Sequence, residues 1–190
     1  ALVFLAVARV PEAQRDKIER TRQYLQVRED IGIASGLTDA AGKVTLACTE
    51  GGTYRASKDG YTQGYGDEKL VLLPAAHISG QVTYDDGTAA AGVMVRYVYH
   101  GQSLYYSQAV LADGEGKYVV NDAPSRGFYY SFMDETAQKQ EREQGGTATV
   151  QAFDLRPGSQ YRGKAEDCTA GPNESVERQL TLSKGCKVAG

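Results

Sequence analysis

Leu111-Ala112-Asp113-Gly114-Glu115-Gly116-Lys117-Tyr118 says most about the architecture, because the chain carries its pattern twice. The other copy is Leu37-Thr38-Asp39-Ala40-Ala41-Gly42-Lys43-Val44, and the two aspartates stand 74 positions apart. Both read Asp-x-x-Gly-Lys between apolar-alternating runs. An aspartate in that place accepts a hydrogen bond from backbone N–H two residues on, and the glycine supplies positive φ without a Cβ clash. In Val44-Thr45-Leu46-Ala47-Cys48 the apolar side chains fall at 44, 46 and 48, on one face of a strand. Gly32-Ile33-Ala34-Ser35-Gly36-Leu37 suits a partner strand, so the turn is read as that of a hairpin.

Working outward, each copy is followed by glycine-aromatic pairs, Gly52-Thr53-Tyr54 and Gly127-Phe128-Tyr129. A second echo links Leu70, Leu72, Ile78 and Gly80 to Leu180, Leu182, Val188 and Gly190, each displaced by 110. Ala1-Leu2-Val3-Phe4-Leu5 resembles Ala91-Gly92-Val93-Met94-Val95, so the first unit opens one strand late and the last residues start a further one. The expected fold is mainly β: two tandem β-sandwiches, which a family resemblance makes Ig-like or prealbumin-like, with a short helical insertion in the first. Residues 1–75 form the first module, 76–184 the second, and 185–190 begin a further strand or module. Unpaired edges at both ends need covering by a strand from the same long chain or another subunit.

Composition agrees with short strands and tight turns. The 190 residues include 22 Gly and 13 Tyr with no Trp. Net charge is −3 at neutral pH, and Lys and Arg are scattered among acids rather than gathered in a stripe, which excludes a phosphate-backbone binder. The opening apolar run, residues 1–8, is far short of the roughly 20 residues a membrane helix needs, and it reads as a buried strand. No membrane insertion by this segment is expected.

Two insertions interrupt the strand pattern. Residues 11–28 read as a helix, with Pro11 at a first helical position and Glu12 at the positive end; Ile18, Leu25 and Tyr24 make its thin apolar stripe. Asp134 to Gly146 is rich in Gln, Glu, Lys and Arg and reads as a solvated helix or mobile loop.

Catalytic chemistry is hard to place. His77 and His100 have no cysteine, carboxylate or second histidine at ligand spacing, and no Gly-x-Ser-x-Gly occurs. Asp85-Asp86-Gly87 is a turn before it is a carboxylate pair, and Asp113-Gly114-Glu115-Gly116 lacks the later bidentate Glu of a calcium loop. No metal and no cofactor is expected. Cys48, Cys168 and Cys186 match no zinc or redox spacing; Cys168 and Cys186 flank a polar loop and are the disulfide candidate, against the alternative of buried thiols. Asn173-Glu174-Ser175 matches a glycosylation acceptor, which matters only in a compartment that glycosylates. The binding lead is aromatic: Tyr97 and Tyr99 share a strand face with Val95, and Tyr105 and Tyr106 follow after Gly101. On an exposed face these four rings would stack on sugar or meet a protein; otherwise they are core and cross-strand packing.

At Ile78-Ser79-Gly80-Gln81-Val82, Asp86-Gly87, Ala91-Gly92-Val93 and Asp113 to Tyr118, the chain resembles the carboxypeptidase regulatory-like domain family. In the first unit Thr38 to Val44, Gly52-Thr53-Tyr54, Lys58-Asp59-Gly60-Tyr61 and Leu70-Val71-Leu72 carry the likeness. The resemblance implies a transthyretin-like or Ig-like sandwich of an exported protein, periplasmic, cell-surface or secreted, that is not itself catalytic. It implies an accessory, adhesive or assembly role, with neighbouring modules, subunits or other proteins as partners. A glycan-binding accessory domain is the alternative, and an appendage of an exported peptidase or receptor a third.

Overall fold

A computed structural model of the chain describes residues 3–7, 32–45, 53–66 and 70–185. The expected helix over 11–28, the strand residues 46–48, Cys48, Cys186 and the start of a further strand lie outside these residues. The described chain is mainly β and divides into two compact units: one within residues 1–73 together with Tyr130–Met133, the other Pro74–Tyr129 and the residues from Asp134 onward.

In the first unit, β1 (Val3–Val7), β2 (Gly32–Leu37), β3 (Thr53–Ser57) and β4 (Gly64–Gly66) form an antiparallel sheet in the order β2-β1-β3-β4. Ala56 on β3 and Thr62 before β4 are buried. Tyr65 of β4 meets Tyr130 edge-on at 6.0 Å, and the Ser131 hydroxyl donates to the Tyr65 carbonyl at 2.8 Å.

The second unit holds β5 (Ala76–Tyr84), β6 (Met94–His100), β7 (Tyr105–Leu111), β8 (Lys117–Ala123), β9 (Thr147–Phe153), β10 (Tyr161–Gly163), β11 (Glu166–Asp167) and β12 (Ser175–Lys184). They pair in the order β7-β6-β9-β10-β12-β5-β8, with β11 on β9. The β5–β12 pair is parallel and the others antiparallel. The path folds over, so that β8 at one end lies near β6 and β7 at the other, in the manner of a sandwich. The order β2-β1-β3-β4 of the first unit is the order β7-β6-β9-β10 of the second.

The two Asp corners match atom for atom. The Asp39 N–H donates to the Lys43 carbonyl at 2.8 Å, and the Asp39 carboxylate accepts from Ala41 N at 2.8 Å and Lys43 N at 2.9 Å. At Asp113 the same bonds run to Lys117, Glu115 and Lys117 at 2.8, 2.9 and 2.9 Å. Gly42 and Gly116 share a φ of 76°, the left-handed value that favours glycine. The Asp113 corner does not close a hairpin, however. β7 pairs with β6 over seven residues and β8 pairs with β5, so the Asp113 corner carries the chain from one end of the sheet path to the other. In the first unit β2 pairs with β1 and residues 43–45 stand outside any strand, while the partner run expected over 46–48 lies outside the described residues. Local turn chemistry fixes the bend but leaves each strand free to choose its ladder partner.

The core follows strand alternation. Val95, Tyr97 and Tyr99 of β6 lie opposite Ala152, Val150 and Ala148 of β9 on one buried face, large against small. Ile78 and Val82 of β5, Tyr118 and Val120 of β8, and Leu180 and Leu182 of β12 complete it. Each fully buried side chain of this size contributes roughly 1.5–3 kcal/mol. Burying phenols requires partners: Tyr97 Oη donates to the Pro124 carbonyl at 2.6 Å and Tyr118 Oη to the Arg178 carbonyl at 2.9 Å. Gly80 makes the β5–β12 junction possible, because a Cβ there would stand 1.8 Å from the Arg178 carbonyl oxygen.

Asp134 to Gly146 forms a helix, α1 (Glu135–Gln144), with Asp134 as N-cap accepting from Ala137 N. It is not wholly solvated. Glu141 is fully buried, its Oε1 accepting from Ser103 N at 2.6 Å, and its carboxylate fills the space a side chain at Gly101 would need.

Candidate functional site

The four tyrosines singled out from sequence separate by strand alternation. Tyr97 is 1% exposed and Tyr99 and Tyr106 are also interior, whereas Tyr105 is 50% exposed at the start of the edge strand β7. Loss of solvent drives the Tyr97 phenol well above its ordinary pKa. Tyr99 and Tyr106 both meet Phe128 edge-on, at 6.0 and 6.1 Å. Tyr105 meets His100 at 5.1 Å and its hydroxyl accepts from Arg96. Of the four rings, Tyr105 alone has a broad surface open to a ligand.

Among the described residues, Tyr99 Oη beneath α1 makes no hydrogen bond of ordinary geometry, though the backbone N–H groups of Gly127, Phe128 and Gly146 lie near it, and Glu141 Oε2 is likewise without a partner. Burial, then the Glu141 charge, raises the Tyr99 pKa. Cys168 is a buried free thiol whose pKa burial pushes up to about 12. Such a thiol is a poor nucleophile at neutral pH. Its expected disulfide partner, Cys186, lies outside the described residues. No group of three or more His, Cys, Asp or Glu able to hold a metal occurs among the described residues, and none of their helices is long and apolar enough to cross a membrane.

The most organised polar cluster lies where β9 runs into β10, and sequence reasoning missed it. Asp154 has a side chain only 1% exposed. Its carboxylate accepts from Arg156 N at 3.1 Å, from Arg156 Nε at 2.9 and 3.1 Å, and from Arg156 Nη2 at 2.6 Å. This bidentate clamp holds the Asp154 carboxyl far below the usual carboxylate range. Nη2 also donates to Tyr84 Oη at 2.6 Å. Tyr84 packs edge-on to Tyr161 at 4.7 Å, and Lys184 Nζ lies 5.8 Å from the Tyr161 ring centre. Between them Pro157 and Gly158 occupy a turn closed by Ser159 N donating to the Arg156 carbonyl at 3.0 Å, with Gly158 at φ 77°. Pro then a left-handed Gly is the type II signature. The signal was present in Asp154-Leu155-Arg156-Pro157-Gly158, but Tyr84, 72 positions away, is supplied only by the fold.

No protein-family model matches the chain, and no curated protein matches it. Among solved structures, 3-chlorocatechol 1,2-dioxygenase from Rhodococcus opacus 1CP is similar at 10% identity and TM-score 0.36, over 60% of this chain and 62% of that one. A streptococcal ancillary pilin is similar at 12% identity and TM-score 0.32, over 98% of this chain and 57% of that one. The shaft pilin SpaA from Lactobacillus rhamnosus GG is similar at 12% identity and TM-score 0.34, over 99% and 88%. The chain thus spans less than two thirds of the dioxygenase and of the ancillary pilin. Likenesses this distant describe no activity of this chain.

Proposed function

We propose that the chain is a non-catalytic structural and interaction module of an exported or cell-surface protein, used in spacing or assembly. The observation that carries this is the repetition of one sheet unit, with the same strand order and the same Asp-x-x-Gly-Lys corner hydrogen bond for hydrogen bond. Buried polar groups in the second unit serve that scaffold: Ser125 Oγ donates to the Pro74 carbonyl, Asp154 clamps Arg156, and Glu141 holds Ser103 N. Repetition of a scaffold with its polar groups spent on turns and caps is what a spacer needs, since each unit must be stable before anything is attached to it. The carboxypeptidase regulatory-like resemblance, the tandem boundaries at 1–75 and 76–184, and the extracytoplasmic location belong to this proposal.

Partners join at sheet edges. β7 and β8 end the sheet path of the second unit, and both present large apolar side chains outward, Leu111 and Val119. Open ladders with exposed apolar groups accept a further strand. Sedimentation velocity over a wide concentration range tests this. The chain is expected to self-associate reversibly, and Leu111→Lys with Val119→Lys is expected to weaken association while thermal stability stays nearly unchanged. A chain that stays monomeric throughout the range contradicts the edge-pairing reading.

A further inference from the structure

We infer that the turn between β9 and β10 is a binding site for a carboxylate-bearing sugar. The inference goes beyond the structural role above and is independent of it. Arg156, Pro157, Gly158, Ser159, Gln160, Tyr161 and Lys184 line an open cleft of about 420 Å³. That volume suits one or two sugar rings, at the lower end of the range for small-ligand sites.

The wall is built rather than accidental. Arg156 is 66% exposed, yet Nε and Nη2 are pinned by the interior Asp154 carboxylate and by Tyr84 Oη. Its Nη1 group, with two N–H donors, has no partner among the described residues. A guanidinium immobilised in this way loses little freedom on meeting an anion, and Nη1 is left to donate to a carboxylate oxygen. Lys184 supplies a second cation, its Nζ over the Tyr161 ring, and makes no ion pair among the described residues. Among the described residues no carboxylate lines the cleft. Asp85 stands beside Lys184, its carboxylate accepting from Lys184 N at 3.4 Å, and Asp86, on the same turn after β5, accepts from Thr88 N and Oγ1.

The rest of the wall selects a sugar over a bare anion. The Pro157 ring, with the part of the half-buried Tyr161 ring that Tyr84 and Lys184 leave open, offers apolar surface for the C–H side of a pyranose. The Gln160 amide is exposed and has no side-chain hydrogen bond among the described residues, able both to donate to and accept from hydroxyls. Arg156 and Lys184 then take the sugar carboxylate, Gln160 a hydroxyl, and Tyr161 with Pro157 the ring.

Titration of the whole chain with a galacturonic acid disaccharide at low salt, followed by amide and side-chain NMR shifts, tests the site. Saturable shifts at residues 156–161 and 184 are expected, with no response to the neutral galactose disaccharide. Lys184→Gln and Arg156→Lys are each expected to weaken binding about tenfold, a change typical of losing one charge-assisted contact. Lys184 is exposed, so its variant keeps the wild-type melting temperature. Three results overturn the inference: no saturable shift up to about 10 mM, beyond the millimolar range of weak single sites; binding indifferent to Lys184→Gln; or an acidic peptide bound more tightly than the uronate through the same residues.

Discussion

Asp154 shows how one residue sets both a loop and its pH response. Its carboxylate is interior, and Arg156 hydrogen bonds depress its pKa in the folded chain. A depressed carboxyl gives stability that is fully present above its unfolded pKa, near 4, and is lost as pH falls toward the folded value. Urea unfolding is therefore expected to vary little between pH 7 and about pH 5 on this account, and to weaken below about pH 4. Asp154→Asn lowers stability at neutral pH and removes part of the acid loss. An acid loss identical in Asp154→Asn and wild type would sink the assignment. The clamp was not legible in the sequence because its third member, Tyr84, reaches it only through the fold. The Asp39 and Asp113 turns were legible because every bond in them spans four residues or fewer.

Elements were legible to the extent that their reasons are local. Alternation placed Val95, Tyr97 and Tyr99 on one face, but whether that face was interior depended on β9 arriving opposite with Ala148, Val150 and Ala152. The same limit applies to α1: its composition reads as solvated, and only the loop after β6 shows that Glu141 is enclosed. At the Asp113 corner the hairpin reading failed for a related reason, since a turn signature names a bend and not a ladder. The repeated corner makes a controlled comparison possible. Gly42 and Gly116 have the same φ, yet a Cβ at Gly42 meets open space and one at Gly116 meets the Val82 carbonyl oxygen at 2.4 Å. Gly42→Ala is expected to cost on the order of 1 kcal/mol, from left-handed backbone alone. Gly116→Ala is expected to cost on the order of 3 kcal/mol, because β5 must shift and Val82 N donates to the Gly116 carbonyl. Urea transitions of the unit carrying each variant measure both; equal costs would mean the corner is not packed against β5.

At the scale of the molecule, the question is what each unit needs in order to stand. The second unit has its own folded sheet and a core running from Ile78 to Leu182, with the largest buried side chains contributed by five of its strands. A domain of that length normally unfolds cooperatively with about 5–15 kcal/mol of stability. Residues 74–190 expressed alone are therefore expected to give a cooperative urea transition and β-type far-UV circular dichroism at dilute concentration. Tyr130–Met133 are the exception within this stretch, for they pack in the first unit, where Tyr130 meets Tyr65 and Ser131 donates to the Tyr65 carbonyl. In the shortened chain the Met133 N–H, which donates to the Tyr130 carbonyl in the intact protein, is expected to exchange with solvent far faster, while the Val95 and Val150 amides keep their protection. Uniform loss of protection across β6 and β9 would show that the second sheet depends on residues before Pro74, and the two units would then have to be treated as one folding domain.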